Sequence, residues 1–468
     1  MSRATLGVIF GNRDFFPDLL VAEARADILA LFAGLEIEPV MLDDQATKLG
    51  GVETYADAEA CADLFRRHRD RIDGIVVVLP NFGDEKGVAD AIRLAGLRVP
   101  ILVQGYPDDL DQLHVERRRD AFCGKISVCN NLTQRGIPFT VTAKHVAHPA
   151  SESFRRDLVD FVAVCRVVNG VRNARIGAIG ARPGAFNTVR YSEKILDANG
   201  VSVTTIDLSE IQARVAGLDG ATAAVRSKLD EIRAYAAAPG VPPEKLVQMA
   251  KLGVVIADWM RANALHASAI QCWTSMQQNL GINVCTLMSM MSEQMMPSAC
   301  EVDVTGVLTM YAMQLASGKP SALVDWNNNY GGEEDKCVLF HCGNWARSFL
   351  PAAEIATAPI LGTIAGEANT YGALAGRAPA GPLTYGRLST NDVLGKITAY
   401  LGEGSLTDDE LRTFGTRAVA HIPGLDRLMR FVCKHGFEHH VVMNQSLTAG
   451  ILEEAFSTYL GWDVYRHG

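Results

Sequence analysis

T-L-G-V-I-F (Thr5–Phe10), P-V-M-L (Pro39–Leu42), G-I-V-V-V-L-P (Gly74–Pro80) and P-I-L-V-Q-G (Pro100–Gly105) recur along the first hundred residues. Helical patterns fill the gaps, from about Asp18 to Gly34, through Tyr55–His68 and after Gly87. Short, wholly apolar strands alternating with helices describe a parallel sheet covered on both faces. In such a sheet ligands gather at the carboxyl ends of the strands, here Gly11-Asn12-Arg13, Pro80-Asn81 and Gln104-Gly105. Arg13 is the candidate ligand contact among them, with a plain surface turn shared with Asp14 as the alternative.

A second α/β segment opens at R-I-G-A-I-G-A-R-P-G-A-F-N-T (Arg175–Thr188) and continues through V-S-V-T-T-I-D (Val201–Asp207) and S-A-I-Q-C-W (Ser268–Trp273). The glycines of its first turn follow G-x-x-G-x-x-x-G, and a proline sits in the would-be helix start, so it is not a dinucleotide fingerprint. From about Gly318 the texture changes to short β-like runs: A-L-V-D-W (322–326), C-V-L-F-H-C-G (337–343), I-L-G-T-I (360–364) and L-T-Y-G-R-L (383–388). The expected architecture is therefore α/β. Two doubly wound parallel-sheet domains, 1–171 and 172–317, precede a β-barrel-like C-terminal domain, 318–468, which carries a terminal amphipathic helix.

Acidic residues outnumber basic ones 53 to 44 in the 468-residue chain, for a net charge of −9. No Lys/Arg stripe with interleaved aromatics appears, which argues against nucleic acid as a partner. No apolar run approaches the length of a membrane span, and the amino-terminal residues lack a leader pattern, so a cytoplasmic location is expected. Ten cysteines form no C-x-x-C pair, and Cys272, Cys285, Cys300, Cys337 and Cys342 lie in apolar segments, which reads as reduced interior thiols.

The chemistry concentrates after residue 300. Glu301 and Asp325 are acids inside otherwise apolar surroundings, where burial costs several kcal/mol (roughly) unless a cation or donor network compensates. His341, His439 and His440 follow in similar settings. Carboxylates completed by imidazole suit a hard or borderline divalent ion such as Mn2+, and three ligands with open positions describe a catalytic rather than a structural site. Gln271, Trp273 and Gln277 place amides and an indole at a strand end, where they suit hydroxyl recognition and stacking on a sugar face, with core packing as the alternative. Met288, Met290, Met291, Met295 and Met296 read as pliable core. Arg182 and Phe186 are placed to touch a polyhydroxylated ligand or a neighbouring subunit.

The motifs C-E-V-D-V-T-G (300–306), V-D-W-N-N-N (324–329), F-H-C-G-N-W (340–345) and H-H-V-V-M-N (439–444) together resemble the L-fucose isomerase and L-arabinose isomerase superfamily. G-N-R-D-F-F-P (11–17) and R-P-G-A-F-N-T-V-R-Y-S-E (182–193) are similar to the same group, and Glu followed by Asp is similar to its fucose branch. The resemblance implies two α/β domains and a β-rich one, a homo-oligomer (trimer or hexamer) with active sites between subunits, and Mn2+-dependent aldose–ketose interconversion through an ene-diol, other divalent cations being possible. It implies Glu301 and Asp325 as metal ligands that also transfer protons, and His440 as the remaining ligand, with His439 the alternative if the register is shifted by one. His341 matches an imidazole that ligates metal in the arabinose branch and lies nearby in the fucose branch. The expected substrate contacts are Arg13, Gln271, Trp273, Trp326, Asn327, His341, His439 and Asn444. The sugar is expected to be L-fucose- or D-arabinose-like, or a sulfonated hexose such as sulfoquinovose, for which Arg13, Arg182 and Arg190 would be the anion contacts. A non-catalytic sugar-binding or regulatory protein on the same scaffold is the competing class.

Overall fold

The computed structural model describes residues 3–468. The chain forms two compact units, one from its first part up to Asn169 together with Glu454–Gly461, the other from Gly170–Glu453 with Trp462–Gly468. Among the described residues no helix is long and apolar enough to cross a membrane.

The first unit is built on β1 (Thr5–Gly11), β2 (Glu38–Val40), β3 (Gly51–Val52), β4 (Gly74–Leu79), β5 (Ile101–Gly105) and β6 (Thr140–Val141). The order is β2-β1-β4-β5-β6, with β3 also on β1, and every pairing is parallel. Side chains on a strand alternate between faces, and β4 shows the result: Ile75, Val77 and Leu79 enter one apolar core while Val76 and Val78 enter another. Both faces are covered, as the unbroken apolar runs require. Helix Leu19–Gly34 buries Leu20, Val21, Ala24, Ile28 and Phe32 along one stripe. Helix Tyr55–Arg67 starts on a capping box in which Thr54 and Asp57 satisfy each other's backbone amides. At the carboxyl ends of the strands, Asn12 bonds Asn81 and Glu53. Arg13 donates to Gly83 O (2.9 Å), pairs with Glu85 and lies over the Phe82 ring.

The second unit holds two sheets. β7 (Arg175–Ile179), β8 (Ser202–Ile206), β9 (Ala267–Ile270) and β10 (Ser298–Ala299) make a parallel sheet in the order β10-β9-β7-β8. The other sheet is large and mixed. Its strands are β11 (Ser321–Asn329), β12 (Lys336–His341), β13 (Glu354–Ala356), β14 (Ala373–Arg377), β15 (Gly381–Asn391), β16 (Lys396–Thr407), β17 (Thr416–His421), β18 (His440–Asn444) and β19 (Asp463–His467). They run β13-β14-β17-β12-β11-β18-β15-β16-β19, and β16 pairs with β17 as well as β15. Only β14–β17 and β16–β19 are parallel. The run I-L-G-T-I at 360–364, expected as β-like, is instead the helix Pro359–Ala365, because Pro359 at its start is pre-set for a helical first turn and has no amide to give a ladder.

Register fixes the chemistry. Asp325 on β11 stands opposite His440 on β18 and opposite Phe340 on β12. Just past β12, Gly343 has φ of 127°, and its carbonyl accepts from Leu374 N (3.1 Å). A Cβ there would meet Leu374 N at 2.4 Å and Leu374 O at 2.6 Å. Gly343→Ala is therefore expected to lower unfolding free energy by about 2 kcal/mol or more, read from the urea midpoint at unchanged slope.

Candidate metal and active site

Glu301 sits in the turn between β10 and the helix Val304–Ser317. Glu301 and Val302 both adopt the left-handed region, at φ of 54° and 55°, a conformation that L residues, and β-branched valine above all, rarely take. The turn buries the Glu301 side chain and points it at three other elements. Its Oε1 accepts the Trp273 indole N–H (2.9 Å) and the Cys272 thiol (3.3 Å). Its Oε2 is buried with no hydrogen-bond partner among the described residues, and it faces His341 Nε2 and His440 Nε2 at 3.7 Å each. Burial pushes the Glu301 carboxyl above its usual range, opposed by the two imidazoles.

His440 and Asp325 close the arrangement from the large sheet. Asp325 Oδ1 lies 3.5 Å from His440 Nε2 and 3.5 Å from His439 Nε2. The other ring nitrogen of His440 is 2.8 Å from Asp303 Oδ2. An ionised carboxylate only accepts, so Nδ1 carries the proton and the Nε2 lone pair is left facing Glu301 and Asp325. His341 is held the other way: its Nδ1 accepts the Cys342 amide (2.9 Å), which in the neutral ring puts the proton on Nε2, toward Glu301. Glu301, Asp325 and His440 thus offer lone pairs, while His341 offers a donor.

Asp303 is itself fully buried and held by a fork from Arg387, at 2.6 and 2.7 Å. Arg387 also donates to Thr305 Oγ1 (2.8 Å) and stands 3.2 Å from Glu438, whose other oxygen accepts from Ser389. Burial works against the charge on Asp303, yet Arg387 and the His440 bond hold its carboxyl well below the usual range.

These groups border a cavity of about 370 Å³, walled by Phe186, Trp273, Asn327, Phe340, Cys342 and Phe414 and by Ile360, Leu361 and Ile364 of the helix Pro359–Ala365. Phe186 meets Trp273 and His439 edge to face, with ring centres 5.3 and 5.4 Å apart.

Several expected site residues are not brought here. Trp326 follows Asp325 on the strand and so points to the opposite face, where its indole donates to Tyr400 Oη (3.0 Å). Asn444 spends its amide on Lys319 O, Pro320 O and Ser321 Oγ at the far end of β18. Gln271 accepts from Ala181 N (2.9 Å), holding the loop after β7, and Gln277 donates to Cys272 O (2.9 Å). Arg182 and Arg190 line a different cavity of about 800 Å³, and Arg13 belongs to the first unit. Sequence reasoning missed Asp303, Arg387 and Glu438. The available signal was the one that flagged Glu301, a charge inside an apolar run, present at Asp303 in C-E-V-D-V and at Arg387 in L-T-Y-G-R-L.

The donor set fits a divalent ion. Glu301 Oε2 is a buried oxygen lacking a partner, and the possible ligands form two sets that share His440, Glu301 with His341 and Asp325 with His439, the atoms of each set lying within 4.8 Å of one another.

Two family models match the chain: the N-terminal domain of fucose/sulfoquinovose isomerase over residues 7–172, and the C-terminal domain of L-fucose isomerase over residues 339–467. Glu301 and Asp325 fall between the matched segments; His341 and His440 fall within the second. A sulfoquinovose isomerase of Priestia aryabhattai is 26% identical over 248 residues, which is 52% of this chain and 54% of that protein. A sulfoquinovose isomerase of Alkalicoccus urumqiensis is 24% identical over 278 residues, 59% of this chain and 60% of the other. The chain thus spans about half the length of the curated relatives it matches. A periplasmic solute-binding protein of Actinobacillus succinogenes 130z with bound D-allose aligns over 68% of this chain and 93% of its own, at 8% identity and a TM-score of 0.18, too weak a likeness to argue from.

Removing one member of the buried pair leaves the other charged and uncompensated. Arg387→Met is expected to lower unfolding free energy by about 3–5 kcal/mol, and calorimetry or denaturant titration would show it. A change below about 1 kcal/mol would mean that Asp303 does not depend on Arg387.

Proposed function

Because the chain belongs to the fucose isomerase-like superfamily, we propose that it is a divalent-metal-dependent aldose–ketose isomerase acting on an open-chain sugar through an ene-diol intermediate. The observation that carries this reading is the unpartnered buried oxygen of Glu301, 3.7 Å from His440 Nε2, with Asp325 3.5 Å from the same nitrogen. Moving hydrogen between C1 and C2 requires a base for a weakly acidic C–H, a carrier for a hydroxyl proton, and stabilisation of negative charge on two neighbouring oxygens. A Mn2+ or similar ion held by Glu301, Asp325 and His440 supplies that last element by Lewis acidity. One carboxylate takes the C2 proton and returns it to C1, while the other carries the hydroxyl proton from O2 to O1, so the sugar's atoms balance. Asp303 keeps His440 in the tautomer whose Nε2 is free to ligate. Trp273 and Phe186 present flat apolar faces that exclude water from one side of the sugar.

The names of the relatives favour a sulfonated hexose of the sulfoquinovose type over a neutral aldose such as L-fucose or D-arabinose. None of Arg13, Arg182 and Arg190 lines the cavity beside Glu301, so these three are not assigned to the anionic end within this chain. The pairing of β16 with both β15 and β17 supports a barrel-like reading of the large sheet. The exposed Ile360 and Ile364 at the cavity wall support a homo-oligomer in which a second copy covers them.

Incubating the protein with Mn2+ and a panel of neutral and sulfonated aldoses, followed by NMR, is expected to yield ketose from one of them. Chelation should remove turnover and added Mn2+ restore it. Glu301→Gln is expected to cost roughly 10²–10⁴-fold in kcat with the circular dichroism spectrum unchanged. Near-normal turnover in that variant would take Glu301 out of the mechanism.

A further inference from the structure

Four cysteines from four different segments converge beside Glu301 and His341, with Cys272 Sγ 3.3 Å from Glu301 Oε1 and Cys342 Sγ 3.4 Å from His341 Nδ1, and the isomerase reading uses none of them. Cys272, Cys285 and Cys300 are buried, while Cys342 borders the cavity. The sulfurs of Cys285 and Cys342 are 3.7 Å apart, and those of Cys285, Cys300 and Cys342 all lie within 4.8 Å of one another. The Cys300 sulfur stands 3.9 Å from the Met288 thioether and lies within 4.8 Å of the Cys272 sulfur as well. Cys272 is turned toward Glu301 instead.

We propose that Cys285, Cys300 and Cys342 form a second metal site, for a thiophilic divalent ion such as Zn2+ or Cd2+, adjoining Glu301 and His341 but built from different ligand atoms than Glu301, Asp325 and His440 offer. Two sulfurs bound tetrahedrally to one zinc at about 2.3 Å are separated by about 3.8 Å, close to the spacing of Cys285 and Cys342. Cys300 Sγ, within 4.8 Å of both, supplies the third sulfur, and the Met288 thioether stands 3.9 Å from it. Ligand softness separates the two sites: thiolates select zinc and cadmium, whereas carboxylates with imidazole accept Mn2+. The ion enters through the cavity, where Cys342 is open, and each ligating thiol releases its proton to solvent. Occupancy would also act on the neighbouring site, because Cys300 precedes Glu301 and Cys342 follows His341 directly in the chain.

The test does not depend on turnover. The full chain, reduced, stripped of metal, saturated with Mn2+ and carrying Cys123→Ser and Cys433→Ser to remove the exposed thiols, is titrated with CdCl2. A thiolate-to-cadmium charge-transfer absorption that saturates at one equivalent is expected, and Cys285→Ser with Cys342→Ser should weaken Cd2+ binding at least tenfold and abolish that absorption. Cadmium NMR of the chain with Cys285, Cys300 and Cys342 intact covers the case in which the double variant misfolds: a resonance in the multi-sulfur range is expected. Absence of a saturable sulfur absorption, or a cadmium resonance typical of oxygen and nitrogen ligands alone, would overturn the site and reduce the cluster to buried packing. Either result leaves the isomerase reading to its own test, since sulfur coordination is read without substrate.

Discussion

The buried pairing of Asp303 with Arg387 is the interaction on which the rest of the site depends. Asp303 makes three kinds of contact at once: it caps the helix Val304–Ser317 through Gly306 N (2.8 Å), receives the Arg387 fork, and accepts from His440 Nδ1. One carboxylate therefore ties a helix start to β15 and to β18. Taking both ions out of water is costly, and their attraction offsets that only with good geometry and further partners, here the Arg387 hydrogen bond to Thr305 and the ion pair with Glu438. The glycine at 306 belongs to the same constraint, because a Cβ there would fall 2.5 Å from Asp303 Oδ2 and 2.6 Å from the guanidinium.

That anchor makes the neighbouring strain tolerable. Glu301 and Val302 hold left-handed backbone that costs of order 1–3 kcal/mol each, and Glu301 adds a buried carboxylate oxygen with no donor. Neither would persist in an isolated turn. They persist because β10 fixes one side of the turn, while the Asp303 cap fixes the other and the Trp273 indole holds Oε1 in place. The electrostatic part of that cost falls at Glu301 Oε2, the atom that the proposed ion would neutralise. The same geometry explains the division between the two imidazoles: a carboxylate behind His440 and a backbone amide behind His341 set opposite tautomers on rings whose Nε2 atoms both face one oxygen.

Much of this was legible in the chain, for reasons that differ from element to element. The parallel sheet of the first unit could be read because a strand covered on both faces must be apolar at every position, as β1, β4 and β5 are. Glu301, Asp325 and His440 stood out because ionisable groups in apolar runs require compensation. The reading failed where it counted motif neighbours as site neighbours. Trp326 adjoins Asp325 in sequence but faces away by the period of a strand, and Asn444 shares a strand with His440 yet lies four residues along it. Arg387 escaped because its partner is 84 residues away, and nothing local announces a pairing of that span. Pro359 was the overlooked sign that I-L-G-T-I begins a helix.

Adjacency in sequence has a second consequence at the cavity. At Cys300-Glu301 and at His341-Cys342 a sulfur and an oxygen or nitrogen ligand are consecutive in the chain, and the fold keeps them close: Cys342 Sγ is 3.4 Å from His341 Nδ1, and the Cys300 sulfur lies within 4.8 Å of a Glu301 oxygen. Two such dipeptides, brought together from different elements, gather imidazole, carboxylate and thiols without any further device. Softness rather than distance divides these donors, since thiolates favour zinc and cadmium whereas carboxylate with imidazole accepts harder ions. Burial divides them too, because Cys272, Cys285 and Cys300 are buried while Cys342 borders the cavity beside Glu301, His341 and His440.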